Sequence, residues 1–309
     1  MERSGIMNII FFGTPKYVLP VVKRLPNLQA IVTQVPKPVG RKKELIPSPV
    51  ENYGREKKIR VIYDLDKVPK ADLGVVAAFG KILPSKVIKR FRYGIINIHP
   101  SLPPKYRGAS PVQAAIANQE KTTGVTIIKM DAEMDHGPII TSFEEKILKS
   151  DTTGTLRSRL FERSAGKVID VITKYKNKKV RSKKQNHRLA TFVTPITKQD
   201  GFIPSTFVKN AIKGKKTSKK WEVNFIKNHH LSPTPKSVES FIRAMNPWPL
   251  AWTKVKVDRG EKKVTGRLKL INAEVRNNRL VLKKVQLEGK NPVTWRQFKE
   301  GYPRASFSS

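Results

Sequence analysis

Cysteine is missing altogether from the 309 residues. That excludes disulfides, thiolate nucleophiles and thiolate-held metals. Also missing is any apolar run close to the roughly 18–20 residues needed to span a bilayer. The opening MERSGIMNIIFFGTP passes from a polar hexapeptide straight into a strand-like run, with neither a small-residue cleavage site nor an Arg/Ser-rich amphipathic helix. The expectation is a soluble cytoplasmic protein with no membrane partner. Acidic residues are scarce: 24 Asp and Glu face 62 Lys and Arg, leaving a net charge of +38. The scarcity is uneven, because residues 1–170 hold 29 basic and 16 acidic side chains whereas 171–309 hold 33 and 8. A solvated lysine surface is the plain reading of such an excess. Its concentration in the second half is what a nucleic-acid-handling domain requires.

The length suggests about two domains. The first half alternates short β-rich runs with helical segments. Strands are expected at 7–12, 28–33, 72–78, 94–98, 122–130 and 138–147, the last two closer to a hairpin, with helices from Pro15 to about Leu25, at 50–58 and at 153–177. Near-continuous apolar strands between helices predict a Rossmann-like, doubly wound, mostly parallel α/β sheet. From 178 to 235 the basic runs KNKKVRSKKQNHR and KGKKTSKK read as linkers or surface loops. Beyond RAMNPWPLAWTKVKV, short alternating strands at 263–272, 273–276 and 279–287 predict a small antiparallel β-barrel of the oligomer-binding (OB-like) kind. The expected division is 1–185 for catalysis and 186–309 for a linker and basic barrel.

Histidine is also sparse, with five in the chain, and one of them ends the strand GIINIH. Asn97 and His99 are two apart and therefore share a strand face. Ligands bind beyond the carboxyl ends of strands in open α/β sheets, and an amide beside an imidazole there can stabilise an oxyanion. A lone histidine in that position is more often structural, so the neighbours decide. KMDAEMDHGPII, residues 129–140, supplies Asp131, Glu133 and Asp135. A carboxylate near His99 would fix its orientation. An ordinary turn or an acidic metal loop would also suit that run, but it lacks calcium-loop spacing, and no metal is expected. Gly13-Thr14-Pro15 lacks both GxGxxG and GxxxxGK[ST], which removes support for a nicotinamide or a nucleoside-triphosphate site. VGRKKELIPSP, with charges between prolines, suits a semi-rigid arm for phosphates.

Taken together, NIHPSLPPKYRGASP, TGVTIIKMDAEMDHGPII, IIFFGTPKYVLPVV, KPVGRKKELIPSPV, VVAAFGKILP and RAMNPWPLAW resemble, in order, the formyltransferases that use 10-formyltetrahydrofolate, and most closely the branch that formylates methionyl-initiator tRNA. The family hallmark Ser-Leu-Leu-Pro-Arg-Tyr-Arg-Gly stands against SLPPKYRG here. Pro103 replaces Leu and Lys105 replaces Arg, which keeps the charge without the guanidinium fork. The resemblance implies Asn97, His99 and Asp135 as catalytic residues. It implies a folate donor site at Phe79, Gly80, Ile82 and Leu83, completed by Ser101, Leu102, Pro104 and Gly137. Substrate contacts would come from Gly13, Thr14 and Tyr17, from the arm residues Arg41, Lys42 and Lys43, and from Lys105 and Arg107. The implied partners are the initiator tRNA and the folate donor, with the protein acting as a bacterial-type cytoplasmic monomer. Two other readings remain: formylation of an amino-sugar nucleotide or another small amine such as glycinamide ribonucleotide, and a non-catalytic RNA-binding protein on the same fold.

Overall fold

The computed structural model describes residues 7–39, 44–215, 217–259 and 262–307. Seven strands form the central sheet: β1 (Ile9–Gly13), β2 (Leu28–Val32), β3 (Arg60–Ile62), β4 (Leu73–Ala77), β5 (Ile95–His99), β6 (Thr122–Lys129) and β7 (Ile139–Lys146). Their order is β7-β6-β5-β4-β1-β2-β3. The five strands from β5 to β3 pair in parallel, and β6 joins β5 antiparallel. The mostly parallel, Rossmann-like sheet expected from the sequence is therefore present.

Every residue of β1 and β4 is buried, which is why these strands read as unbroken apolar runs rather than alternating ones. On one face Ile10, Phe12, Val32, Val76 and Phe91 pack as a cluster that also takes in Phe79 and Leu83. Phe12 meets Phe79 edge-on at 5.7 Å. Each such ring contributes about 1.5–3 kcal/mol relative to exposure.

The chain runs outward from β1 to β2 and β3, then returns to the other side of β1 as β4. In open α/β sheets such a reversal is where ligands bind, beyond the carboxyl ends of the strands, here those of β1 and β4. Gly13 closes β1 because a Cβ there would lie 2.5 Å from the Phe11 ring and 2.7 Å from the Ala77 carbonyl oxygen. Helix α1 (Pro49–Glu56) starts on Ser48, whose hydroxyl accepts from the Glu51 N–H, with Pro49 in the first turn. Helices α2 (Pro111–Ala117) and α3 (Thr153–Lys176) follow.

Two compact units are distinguished. The first holds residues 1–108, 123–146 and 157–191; the second holds 109–122, 147–156 and 192–309. Within the second unit α4 (Ser205–Ile212) and α5 (Pro235–Ala244) accompany a five-stranded antiparallel sheet. Its strands are β8 (Ala251–Arg259), β9 (Lys262–Arg276), β10 (Arg279–Leu287), β11 (Val293–Thr294) and β12 (Ser306–Phe307), ordered β11-β10-β9-β8-β12.

Two readings of this half need correction. The strands expected at 263–272 and 273–276 are one strand, β9, whose register against β10 shifts between Leu270 and Ala273. Residues 178–235 are not simply linker and surface loop. They include α4 and bury Val193, Ile203, Phe207, Val208, Trp221, Phe225 and Ile226. Ile203, just before α4, and Phe207, Val208 and Ala211 on it keep helical spacing, whereas Val193, Trp221, Phe225 and Ile226 stand apart from it, and the basic runs around them masked both. No helix among the described residues is long and apolar enough to cross a membrane.

Candidate active site

Strand β5 delivers Asn97 and His99 to its carboxyl end, where β6 lies antiparallel with Ile128 opposite Asn97 and Thr126 opposite His99. The chain leaving β6 passes through DAEMDHGP and brings Asp135 back onto the same spot. Asn97 Nδ2 donates to Asp135 Oδ1 at 2.8 Å. The Gly108 N–H donates to Asp135 Oδ2 at 2.8 Å. His99 Nδ1 stands 3.4 Å from Asp135 Oδ2. Each carboxylate oxygen thus accepts one hydrogen bond, and the imidazole stands beside Oδ2. Asn97 commits one amide proton to it and keeps the other.

The opposite nitrogen of His99, Nε2, lies 3.0 Å from the Tyr106 carbonyl oxygen. A carbonyl only accepts, so Nε2 carries a proton. His99 is 3% exposed, its ring set between Asp135 at one end and the loop from Ser101 to Gly108 at the other. That loop is internally braced. The Ser101 hydroxyl donates to the Lys105 carbonyl at 2.8 Å, and the Thr126 hydroxyl of β6 donates to the Ser101 carbonyl at 2.9 Å. Such an arrangement offers donors to one developing negative oxygen beside a base.

The remaining expected residues fall into several groups. Gly13 ends β1 and Thr14 follows it, with the Thr14 hydroxyl 3.4 Å from the Phe79 carbonyl oxygen. Phe79 and Leu83 are buried in the core cluster, so the Phe79–Leu83 turn presents backbone, Gly80 and Ile82; Ile82 is 77% exposed. Gly80 has φ +75° and faces the Gln34 amide, which donates to the Phe79 carbonyl at 2.8 Å. Leu102 packs over Gly124. The Pro104 carbonyl accepts from the Thr191 N–H, and Lys105 is exposed.

Tyr17 packs between Phe161 and the Arg157 guanidinium, which lies 4.0 Å from its ring centre. Burial raises the Tyr17 pKa, and Arg157 partly offsets that. Gly137 abuts β6 so closely that a Cβ would lie 1.8 Å from the Lys129 carbonyl oxygen. Arg41, Lys42 and Lys43 lie outside the described residues. Among the described residues no group of His, Asp and Glu could hold a metal ion.

Arg107 is buried. Its Nε and Nη2 donate to Gln185 Oε1 at 3.1 and 2.6 Å, and Nη2 also reaches His187 Nδ1 at 2.8 Å. Burial lowers the arginine pKa, and the carboxylates of Asp135, Glu133 and Asp131 work the other way. Sequence reasoning missed Gln185 and His187, which arrive inside a run read as linker. Paired backbone hydrogen bonds between Ile139 and Lys183, 2.8 Å each way, bring that run against β7.

His187 stacks on His136 with ring centres 4.0 Å apart. Because Arg107 donates to its Nδ1, that nitrogen carries no proton. Desolvation, then His136 and Arg107, hold the His187 pKa below its ordinary 6.5. The unfolded chain takes up this proton near 6.5 and the folded chain only at lower pH. The associated stability is therefore present above 6.5 and lost as pH falls through the folded value. An NMR titration should place the His187 midpoint below 6.5 and higher in Arg107→Ala. A midpoint unmoved by that substitution contradicts the Arg107 hydrogen bond.

The formyl transferase family matches residues 7–172. The methionyl-tRNA formyltransferase of Methylacidiphilum infernorum is 33% identical over 96% of this chain and 95% of its own length. Among solved structures, a 4-N formyltransferase from Francisella tularensis is similar with a TM-score of 0.58 at 20% identity, over 84% of this chain and 97% of that one. The methionyl-tRNA formyltransferase from Clostridium thermocellum is similar with a TM-score of 0.52 at 16% identity, over 91% and 99%. The two structural likenesses establish a shared fold across enzymes whose names differ in substrate.

Proposed function

Because the chain belongs to the formyl transferase family, in its methionyl-tRNA formyltransferase branch, we propose that it moves the formyl group of 10-formyltetrahydrofolate onto the α-amine of methionyl-initiator tRNA. The single observation that carries the chemistry is the convergence of Asn97, His99 and the Gly108 N–H on the Asp135 carboxylate at the end of β5.

In this reading the neutral amine attacks the formyl carbon, and the carbonyl oxygen becomes an oxyanion. The second amide proton of Asn97 meets it, together with the Nδ1–H that His99 carries when its ring is protonated. Asp135 takes the proton lost by the amine, directly or through a water. Asp135 hands that proton on to N10 as the bond between the formyl carbon and N10 breaks, so that tetrahydrofolate leaves with N10 protonated and the carboxylate is restored. No enzyme-bound acyl intermediate is needed, in keeping with a chain that has no cysteine. The exposed edge of the Phe79–Leu83 turn and the backbone around Gly137 would receive the donor, and Tyr17 the methionine side chain.

Fold alone does not select the substrate, since the same fold serves a 4-N formyltransferase. What favours tRNA is identity spread over nearly the full chain and the charge of the second half. We assign catalysis to residues 1–185 and tRNA contact to 186–309, with the Arg41–Lys43 arm reaching the acceptor end, and place the protein in the cytoplasm. The direct test is to incubate purified protein with 10-formyltetrahydrofolate and methionyl-tRNA and follow the product by acid gel. Absence of formyl-methionyl-tRNA rejects the reading.

The arm and the basic second half should respond differently to mutation. Arg41→Ala should weaken use of methionyl-tRNA while leaving folate affinity unchanged, since a guanidinium forks onto phosphate or a base edge. Replacing Lys215, Lys216, Lys219 and Lys220 with Ala should weaken tRNA binding uniformly. It should also flatten the log–log salt dependence, by about 0.9 for each duplex phosphate that a lysine no longer neutralises. Lys216 lies outside the described residues. A wild-type salt slope near zero rules out tRNA as the partner.

A further inference from the structure

Asp135 holds a left-handed backbone, φ +50°. That conformation is uncommon for a residue with a side chain, though aspartate is among those that tolerate it. It persists only where the surroundings hold it, and here the surroundings can be named. On one side the turn is pressed against β6, where Gly137 leaves no space for a Cβ beside the Lys129 carbonyl. On the other side stands Gln185, 6% exposed. Its amide Nε2 donates to the Asp135 carbonyl and to the Gly137 carbonyl, 2.8 Å each. One side-chain amide thus spans the backbone of the turn that carries the carboxylate. Its Oε1 is fixed in turn by two donors from Arg107, and Arg107 directly precedes Gly108, whose N–H holds Asp135 Oδ2.

We propose that Gln185 is a positioning residue for the reaction. It clamps the backbone on both sides of His136, and, through Arg107, ties the carboxylate's backbone to the loop that supplies one of its donors. The proposal rests on the reading of Asp135 as the catalytic carboxylate. Arg107, expected from the sequence to touch substrate, acts in this view as the fixed anchor of the clamp. A buried amide suits the task because it is the one neutral side-chain group that donates two hydrogens from one atom while accepting on the other.

Two substitutions separate the clamp from simple packing. Gln185→Glu keeps the acceptor for Arg107 and nearly the same volume but loses both donors to the carbonyls. Gln185→Leu loses everything except volume. With methionyl-tRNA and 10-formyltetrahydrofolate, both are expected to lower kcat roughly 10- to 100-fold, the scale for misplacing a catalytic group by about 1 Å. KM for each substrate should stay within about twofold. Independently of activity, hydrogen exchange of the Gly108 amide reports whether Asp135 is in place. That exchange should accelerate at least about tenfold in both variants, while amides of β1 keep wild-type protection.

Retention of kcat by Gln185→Glu overturns the proposal, as does an unchanged Gly108 exchange rate. Should Gln185→Leu fail to fold, Gln185→Glu alone decides. A wild-type protein inactive on methionyl-tRNA would instead overturn the proposed function, and the exchange rate of Gly108 would still judge the clamp.

Discussion

Asp135→Asn is expected to lower turnover by about two to three orders of magnitude while leaving the fold intact. The substitution preserves size, so its effect comes from hydrogen-bond polarity. Asp135 Oδ1 accepts from the Asn97 amide and Oδ2 from the Gly108 N–H, both at 2.8 Å. An asparagine has one acceptor and one NH₂ at these two places. Turned one way, its NH₂ faces the Gly108 N–H; turned the other, it faces the NH₂ of Asn97. Asn97 can escape only by flipping its own amide, which withdraws the donor assigned to the oxyanion. The base is lost in either case, and the magnitude is that of removing a transition-state interaction in a buried site. Steady-state kinetics with saturating substrates check this, with circular dichroism to show that folding is retained. Turnover within about tenfold of wild type would move the base to Asp131 or Glu133, of which Asp131 is engaged with His136 at 2.7 Å.

Asn97→Ala and His99→Ala should each cost about 2.7–4 kcal/mol in the chemical step, the range for deleting one oxyanion donor. The two differ in what they leave behind. Without Asn97, Asp135 Oδ1 loses a partner in a half-buried position. Without His99, the Tyr106 carbonyl loses its donor in a buried one. His99→Ala is therefore also expected to destabilise the fold by about 1–3 kcal/mol, the cost of leaving buried groups unpaired. Folate binding should survive in both variants. Single-turnover rates separate the chemical step from binding, and a variant that forms product at the wild-type single-turnover rate would remove that residue from the mechanism.

Much of this site could be read from spacing because strand geometry is local. Asn97 and His99 share a face by the two-residue period alone, and the apolar runs around them mark a buried parallel strand. Asp135 was legible as one of three nearby carboxylates, and resemblance rather than spacing singled it out. Gln185 was not legible at all. It sits among lysines and arginines in KNKKVRSKKQNHR, a composition that reads as solvated chain, and its burial depends on a pairing with β7 some forty residues away. Arg107 entered only through the resemblance, as a substrate contact, and the arrival of Gln185 and His187 shows where its Nε and Nη2 hydrogens go. In the second half, the register shift between Leu270 and Ala273 broke the alternation that would have revealed one long strand. The isolated placing of Val193, Trp221 and Phe225 among polar residues hid part of a core.

The interleaving of the two units has a consequence for how the protein is made. Residues 109–122 and 147–156 belong to the unit completed by 192–309. Helix α2, with Val112, Ala114, Ala115 and Ile116 buried, packs against α5, which the ribosome adds roughly a hundred residues later. At about 5–20 residues per second, the apolar side of α2 waits on the order of ten seconds for its cover. The strands of the first sheet are complete by Lys146 and can pair during that interval. The nascent chain therefore carries a finished sheet and an uncovered helix at the same time, a state in which a holding chaperone has a definite surface to protect.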